Sequence, residues 1–351
     1  MDLKDIRNKI NIIDSKILKL LNDRMRQAIM ARKFKTEIED IEREKEILNR
    51  IKNNSGQLIS PDFCEKLFVN IINESKRLQK KVYKIIGFQG EHGAYSEVAA
   101  RIWNKDLVSV PCKDFSKVFE GVKSGLFDYG IVPVENTLGG VVGQVNDLII
   151  NTDLYVVGAI DFPVNHCLLA VPDADYREIR SVYSHPQALA QCRQFLARNK
   201  LQPISHYDTA GAARMISEEN LRSSAVIASK MSAELYNLEI IKENIEDLEI
   251  NNTRFLILSK EKFEGIGNKC SIIFSTEHKS GTLFSVLEVF AKANINLTRI
   301  ESIPKQPGTY AFFLDFIGSD KDEKVIRAID KVSQITKELR FMGCYNERKI
   351  Q

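Results

Sequence analysis

The sequence predicts a multidomain chain: an all-helical segment, then an α/β segment, then a small α+β segment. Three observations predict it. The chain has 351 residues, too many for one hydrophobic core. Apolar residues in the first 82 positions recur every three or four residues, the period of an amphipathic helix. Beyond residue 83, strand-like runs alternate with helical ones, and the last stretch has the order βαββαβ. Boundaries are expected at 1–82, 83–262 and 268–351. Composition is that of a soluble globular protein, 44% hydrophobic and 28% charged. A net charge of +3 is too small to imply nucleic acid. No apolar run reaches the ~20 residues of a membrane span. The opening Met1–Asp2–Leu3–Lys4 enters an amphipathic pattern directly, so no signal peptide is expected. Six scattered cysteines without a C-x-x-C pair fit free thiols in a cytoplasmic protein and give no metal signature.

In the first segment Leu3, Ile6, Ile10, Ile13, Ile17, Leu20, Leu21, Met25, Ala28 and Ile29 mark one long helix, expected to reach Lys35. A second helix is expected near Asp40–Ile51. A third starts after Ser60–Pro61, with serine as cap and proline in the first turn. Two short helices cannot cover the apolar face of the long one, so an intertwined homodimer is expected. Arg24 and Lys35 lie about three turns apart and share a helix face. Arg7 lies 17 residues before Arg24, turned roughly 100° away, and serves a partner's pocket more easily than its own. Ser75 and Gln79 form an i, i+4 pair.

This set resembles the all-helical chorismate mutases. Their Arg, Arg, Lys, Asp, Arg-Glu and Ser-x-x-x-Gln series falls in order on Arg7, Arg24, Lys35, Asp40, Arg43, Glu44, Ser75 and Gln79. The link from Lys35 to Asp40 is shorter than usual in that family. The resemblance implies that Arg24 and the partner's Arg7 take substrate carboxylates. Lys35 and Gln79 would face the breaking ether oxygen of chorismate, and Glu44 the ring hydroxyl. The rearrangement to prephenate moves no proton, so it needs conformational restraint and charge stabilisation, not acid or base.

In the second segment Ile85–Gly90 reads as a strand ending in a glycine turn. Gly87, Gly90 and Gly93 are spaced G-x-x-G-x-x-G, not as the dinucleotide fingerprint G-x-G-x-x-G. The turn offers backbone N–H groups and Ser96 at a helix start. Strands are expected at Val108–Val110, Tyr129–Val134, Tyr155–Ile160, Asn165–Val171, Ser181–Tyr183, Ile204–Tyr207 and Ala225–Ile227. Helices are expected at Phe115–Ser124, Gln144–Ile150 and from Pro186 to Ala197. Such alternation predicts parallel sheets with a polar cleft at the strand ends. The stretch Asn251–Asn252–Thr253–Arg254–Phe255, before the apolar run Leu256–Leu258, supplies two amides, a hydroxyl and a guanidinium.

The run of motifs resembles prephenate dehydratase. It is carried by Gly90-x-x-Gly93-x-Tyr95-Ser96, Pro133–Thr137, Asn165–His166–Cys167–Leu168, Tyr183–Gln187 and Thr253–Arg254–Phe255. The resemblance implies two lobes of the periplasmic-binding-protein type with prephenate between them. Thr253 would donate a hydrogen bond to the departing hydroxyl. Ser96, Asn136, Thr137, Ser184, His185, Gln187, Thr209 and Arg254 would bind substrate, with Arg254 either anchoring a carboxylate or ordering the loop. Of the five histidines (His92, His166, His185, His206, His278), His185 is the alternative proton donor. No cofactor or metal is required.

The third segment resembles the amino-acid-binding ACT domain, a ferredoxin-like sandwich. Its glycine loop falls on Ser280–Gly281–Thr282–Leu283 and its second motif on Glu301–Ser302–Ile303–Pro304, with Ile303 where the family commonly has arginine. Pro304, Pro307 and Gly308 separate its second and third strands. Gly281, Thr282, Leu283, Glu301 and Ser302 are the expected contacts for phenylalanine. Together the resemblances imply an enzyme that converts chorismate to prephenate and prephenate to phenylpyruvate under phenylalanine control. Two other readings stay open: a dehydratase whose helical segment only dimerises, and a non-catalytic amino-acid sensor.

Overall fold

A computed structural model describes residues 3–56, 58–248, 250–277, 279–306 and 309–350. His278, Pro307 and Gly308 therefore lie outside the described residues. The chain divides into two compact units, Met1–Ile85 and Ile86–Gln351.

The first unit is helical. Helix α1 (Leu3–Ala31) runs 29 residues, about 44 Å. It ends four residues before the expected Lys35. A 3-10 turn (Arg32–Phe34) follows, and Lys35 is already extended (φ −106°, ψ 137°). The Arg32 guanidinium donates to Lys35 O and closes that turn. Helix α2 (Ile41–Asn53) is capped by Asp40, which accepts from the Arg43 N–H at 3.0 Å. Helix α3 (Pro61–Gln79) is capped by Ser60, with Pro61 in the first turn as expected. Residues of the second half of α1 bond to α3, Arg24 to Ser75 and Ala28 to Gln79. The part of the helix before Arg24 leaves Ile6, Ile10, Ile13, Ile17 and Leu20 between 42% and 67% exposed. Among the described residues of α1–α3, only Ile71 and Ile72 are apolar and buried, so this unit has almost no core of its own.

The second unit begins with a lobe built of β1 (Ile85–Gln89), α4 (Tyr95–Trp103), β2 (Val108–Cys112), α5 (Phe115–Lys123), β3 (Tyr129–Asn136), β4 (Gly140–Val141), α6 (Gly143–Ile150) and β5 (Tyr155–Pro163). The chain then crosses to a second lobe. That lobe holds β6 (Cys167–Ala170), β7 (Ser181–Ser184), α7 (Pro186–Gln191), α8 (Arg193–Arg198), β8 (Gln202–Ser205), α9 (Thr209–Glu219), β9 (Ser224–Ala228), α10 (Lys230–Tyr236) and β10 (Glu239–Lys242). It returns as β11 (Asn252–Ser259) to the centre of the first sheet, between β5 and β3. The helix expected from Pro186 to Ala197 is broken at Cys192 into α7 and α8. The sheets are mixed, not parallel. β1 pairs parallel with β3, and β7 with β8 and β9. β11 runs antiparallel to both its neighbours, and β6 antiparallel to β9 and β10. The strands that reverse are β6 and β11, the first after each crossing, since a chain arriving from the other lobe enters its sheet from the opposite end.

The remainder forms β12 (Lys269–Ser275), α11 (Thr282–Lys292), β13 (Leu297–Gln306), β14 (Thr309–Ile317), α12 (Glu323–Ile335) and β15 (Glu338–Tyr345), with sheet order β13-β14-β12-β15. This is the expected βαββαβ sandwich, cored by Ile272, Phe274, Phe290, Phe316, Val325 and Val332. Helix α12 ends at Ile335, and Leu339 belongs to β15. In this last segment one strand was not expected, as β4 and β10 were not in the two lobes. β16 (Glu347–Lys349) leaves the sandwich and pairs parallel with β5, Glu347 beside Ala159 and Lys349 beside Asp161.

Candidate functional sites

The helical unit holds a pocket of about 350 Å³. Arg24, Lys35, Asp40, Arg43, Glu44, Ser75 and Gln79 all line it, so seven of the eight residues singled out in this segment meet. Lys35 reaches it from the extended turn, not from the face of α1. The Arg24 guanidinium donates to Ser75 Oγ at 2.6 Å, and the Ser75 hydroxyl donates to Ile71 O at 2.8 Å. Burial lowers the Arg24 pKa, but arginine remains a cation. One N–H of the Gln79 amide is spent on Ala28 O at 2.7 Å, which fixes the side chain and leaves the other. Lys76, also in the lining, holds Glu44 at 3.1 Å, and Lys35 stands 3.9 Å from Asp40. Arg7 is exposed and does not line this pocket. It sits about 25 Å along α1 from Arg24.

The cleft of the two-lobed unit has a volume of about 490 Å³. Ser96, Asn136, His185, Gln187, Thr209 and Thr253 line it. At its centre Asn136 Nδ2 donates to Thr253 Oγ1 at 2.9 Å and to Asn251 Oδ1 at 2.8 Å. Asn251 donates to Val164 O at 3.1 Å and to Gln191 Oε1 at 3.3 Å. Gln191 Oε1 also lies 2.7 Å from His166 Nε2, and His166 Nδ1 lies 2.9 Å from the Tyr95 hydroxyl. Since Gln191 Oε1 only accepts, His166 carries a proton on Nε2, and the Tyr95 hydroxyl beside its Nδ1 also donates to Asn165 O at 2.8 Å. Burial lowers the His166 pKa against the opposing pull of Gln191 and Glu246, which favours the neutral ring. The cleft edge is held by Glu97, fully buried on α4. It accepts from Gly93 N–H at 2.9 Å and meets His92 Nδ1 at 3.1 Å and Arg101 at 2.8 Å. Burial pushes its pKa up, but these partners outweigh it and bring it down to about 2. Gly93 has φ +93°, and a side chain there would strike Ser232 Oγ at 2.6 Å, so this turn requires glycine.

A third pocket, about 560 Å³, opens on the C-terminal sandwich. Gly281, Thr282, Leu283 and Ser302 line it together with Thr276, Phe284, Tyr310 and Phe312. Glu301 does not, because neighbours on β13 point to opposite faces. Ile303 is buried.

Three family models match in chain order: chorismate mutase type II over residues 6–80, prephenate dehydratase over 86–263 and the ACT domain over 271–334. The bifunctional chorismate mutase/prephenate dehydratase of Aquifex aeolicus is 35% identical, across 100% of this chain and 99% of its own. This chain belongs to the bifunctional chorismate mutase/prephenate dehydratase family. An arogenate dehydratase/prephenate dehydratase of Arabidopsis thaliana is 39% identical over 82% of this chain and 78% of its own. Among solved structures, the prephenate dehydratase of Arthrobacter aurescens in complex with L-Phe covers 75% of this chain and 89% of its own at 27% identity (TM-score 0.70). GqqA, described as a quorum quenching acylase, covers 76% of this chain and 98% of its own at 32% identity (TM-score 0.71).

Three residues expected in the dehydratase cleft are elsewhere. Ser184 is fully buried, its hydroxyl donating to Ile227 O at 2.6 Å. Thr137 Oγ1 accepts from Asn252 N–H at 2.9 Å and lies 3.3 Å from Ile250 O, stitching β3 to the start of β11. Arg254 follows Thr253 on a strand and so faces away from the cleft, into the ACT domain. It is not part of the cleft lining. Conversely, Tyr95, His166, Gln191 and Asp208 line the cleft and were not singled out as binding residues. The first two stand inside motifs that carried the resemblance, so their signal was present. Asn251 lies just behind Thr253 in the same network. Helices α4 and α9 begin in the lining, at Tyr95–Ser96 and Thr209, and the first turn of α9 is capped by Asp208, which accepts from Gly211 N–H at 2.7 Å.

Proposed function

We propose that the helical unit works as a dimer in which Arg7 completes the partner's mutase pocket. Supporting this are the exposed apolar face of α1 and the absence of Arg7 from its own pocket. Arg24 and the partner's Arg7 hold the carboxylates of chorismate, and Lys35 and Gln79 stabilise charge on the ether oxygen. Segments 1–82, 83–262 and 268–351 carry the mutase, the dehydratase and its control, in a cytoplasmic protein.

In the dehydratase, Thr253 donates to the departing hydroxyl of prephenate while the ring aromatises and carbon dioxide leaves. One observation carries this. Thr253 Oγ1 already accepts from Asn136, so its own proton is free for the cleft. The partner is an amide, not an imidazole or carboxylate able to remove that proton, so the site is arranged to donate rather than to attack a carbonyl. His185 is less suited. Burial lowers its pKa despite Asp208 nearby, and its Nδ1 accepts from the Gln187 N–H at 3.2 Å. Incubating the purified chain with chorismate should yield phenylpyruvate. Prephenate accumulating without phenylpyruvate would refute the dehydratase assignment, and no consumption of chorismate would refute the mutase one.

The sandwich pocket takes phenylalanine, its apolar end formed by Leu283, Phe284 and Phe312 and its polar end by the Gly281 turn and Ser302. Gly281 has φ +87° and open space where a Cβ would stand, so Gly281→Val strains the turn and fills the pocket. Calorimetry should detect millimolar or tighter binding in the parent chain and none in the variant.

A further inference from the structure

Thr253 and Arg254 are neighbours on β11, and strand alternation sends them to opposite faces. The Arg254 guanidinium, 6% exposed, is gripped by groups of the ACT domain. It reaches Asp315 Oδ2 at 2.5 Å, Glu347 Oε1 at 2.6 Å and the Tyr345 hydroxyl at 3.1 Å. Asp315 is fully buried and also accepts from Ser271 Oγ. Lys269 meets Glu347 at 2.8 Å. Glu135, on β3, lies 3.6 Å from Arg254 and 3.3 Å from Arg299 of β13. The cluster thus balances Arg254, Lys269 and Arg299 against Asp315, Glu347 and Glu135.

Its placement is what matters. On β11 and on β3 alike, the residue in the cluster is the chain neighbour of one in the cleft: Arg254 beside Thr253, Glu135 beside Asn136. Those two cleft residues are bonded to each other at 2.9 Å. On the other side, Asp315 stands three residues along β14 from Phe312, and Arg299 three residues before Ser302 on β13. Phe312 and Ser302 line the sandwich pocket. Three residues of strand span about 10 Å. Buried ion pairs tolerate little displacement, because a separated charge is left without water or partner.

We propose that Arg254 is a positioning residue for Thr253, held in place by Asp315 and Glu347, and that this cluster is the physical link between the sandwich pocket and the dehydratase cleft. The second half rests on the reading of that pocket as a phenylalanine site.

The test uses the full chain carrying Arg254→Lys or Asp315→Asn, with prephenate as substrate. Mutase activity and a thermal melt on the same samples control for concentration and folding. Both variants should lose roughly ten-fold or more in dehydratase kcat with KM within about two-fold, as for a misplaced group that never touches substrate. A ten-fold rise in KM at unchanged kcat would make Arg254 a substrate ligand and overturn the proposal, as would no change in either constant. Where Arg254→Lys does not fold, Asp315→Asn supplies the same split. For the link, Asp315→Asn should bind phenylalanine within about three-fold of the parent, yet lose most of the inhibition seen at saturation. Inhibition as deep as in the parent would break the link. A parent chain that binds no phenylalanine would refute the sensor reading alone, and the kcat and KM result still decides the role of Arg254.

Discussion

The mutase pocket and the dehydratase cleft handle successive dianions with opposite materials. The first is lined by Arg24, Lys35, Arg43 and Lys76 around two acids. The second, among the described residues, has no lysine or arginine in its lining, and its one acid is Asp208. Burial raises the pKa of that acid against the Gly211 N–H that it accepts. The difference follows the chemistry. A pericyclic rearrangement transfers no proton, so fixed cations beside the ether oxygen supply most of what is needed. In the dehydration, hydroxide must leave and a carboxylate must break down to carbon dioxide. A cation clamped on that carboxylate would stabilise the ground state and oppose its loss. Neutral donors such as the amides and hydroxyl of this lining would hold the dianion without that penalty.

The largest effect should come from removing a mutase cation. Lys35→Ala should abolish mutase turnover while dehydratase activity on added prephenate persists. Loss of both activities together would show that the two sites are not separable in the way the comparison requires.

The matching change in the cleft removes a neutral donor. Thr253→Ala should lower dehydratase turnover by roughly 10²–10³, the scale of one hydrogen bond to developing negative charge. Thr253→Ser keeps the hydroxyl and should retain much of the rate. A nearly silent alanine beside an inactive His185→Ala would transfer the proton to the imidazole.

A smaller effect tests whether the mutase pocket is shared. Arg7→Ala and Arg24→Ala should each be inactive alone. Mixed as exchanging subunits they should recover about a quarter of parental mutase activity, since half the dimers are hybrids and one site in each hybrid is intact. Failure to recover despite demonstrated exchange would place Arg7 outside the site.

Much of this contrast could be read before the structure was known. The order of segments, the three helices, the cap at Ser60 and the seven residues that meet in one helical pocket were legible, because helical periodicity and capping are local. What was not legible depended on which face of a strand a residue occupies and on what covers it. Arg254 carries the right motif, but its partners Asp315 and Glu347 come from more than 60 residues away. Ser184 and Thr137 look like ligands and are spent on backbone groups. Glu301 was chosen with Ser302, although adjacent strand residues cannot both line one pocket. The three-residue strand β16 has no sequence signal, because its pairing is fixed by the edge of β5.

The mildest perturbation leaves both chemistries alone at neutral pH and separates the units by acid. Glu97 holds the glycine turn at the mouth of the dehydratase cleft. Its pKa is depressed from the usual carboxylate value of 4.5 to about 2, burial being outweighed by His92, Gly93 and Arg101. For a depressed acid the stabilisation is fully present above the unfolded pKa and is lost as pH falls towards the folded one. The window is therefore about pH 4.5 down to about 2. Near pH 3 the unfolded carboxyl is mostly protonated while Glu97 still resists, and the loss there amounts to ~2 kcal/mol. Trp103, the single tryptophan, ends the same helix α4, so its fluorescence reports this lobe and not the helical unit. Urea unfolding followed at Trp103 should weaken between pH 5.5 and 3, and Glu97→Gln should flatten that part of the dependence. An equally steep loss in Glu97→Gln would assign the acid sensitivity to other carboxylates and remove Glu97 as the anchor of the turn.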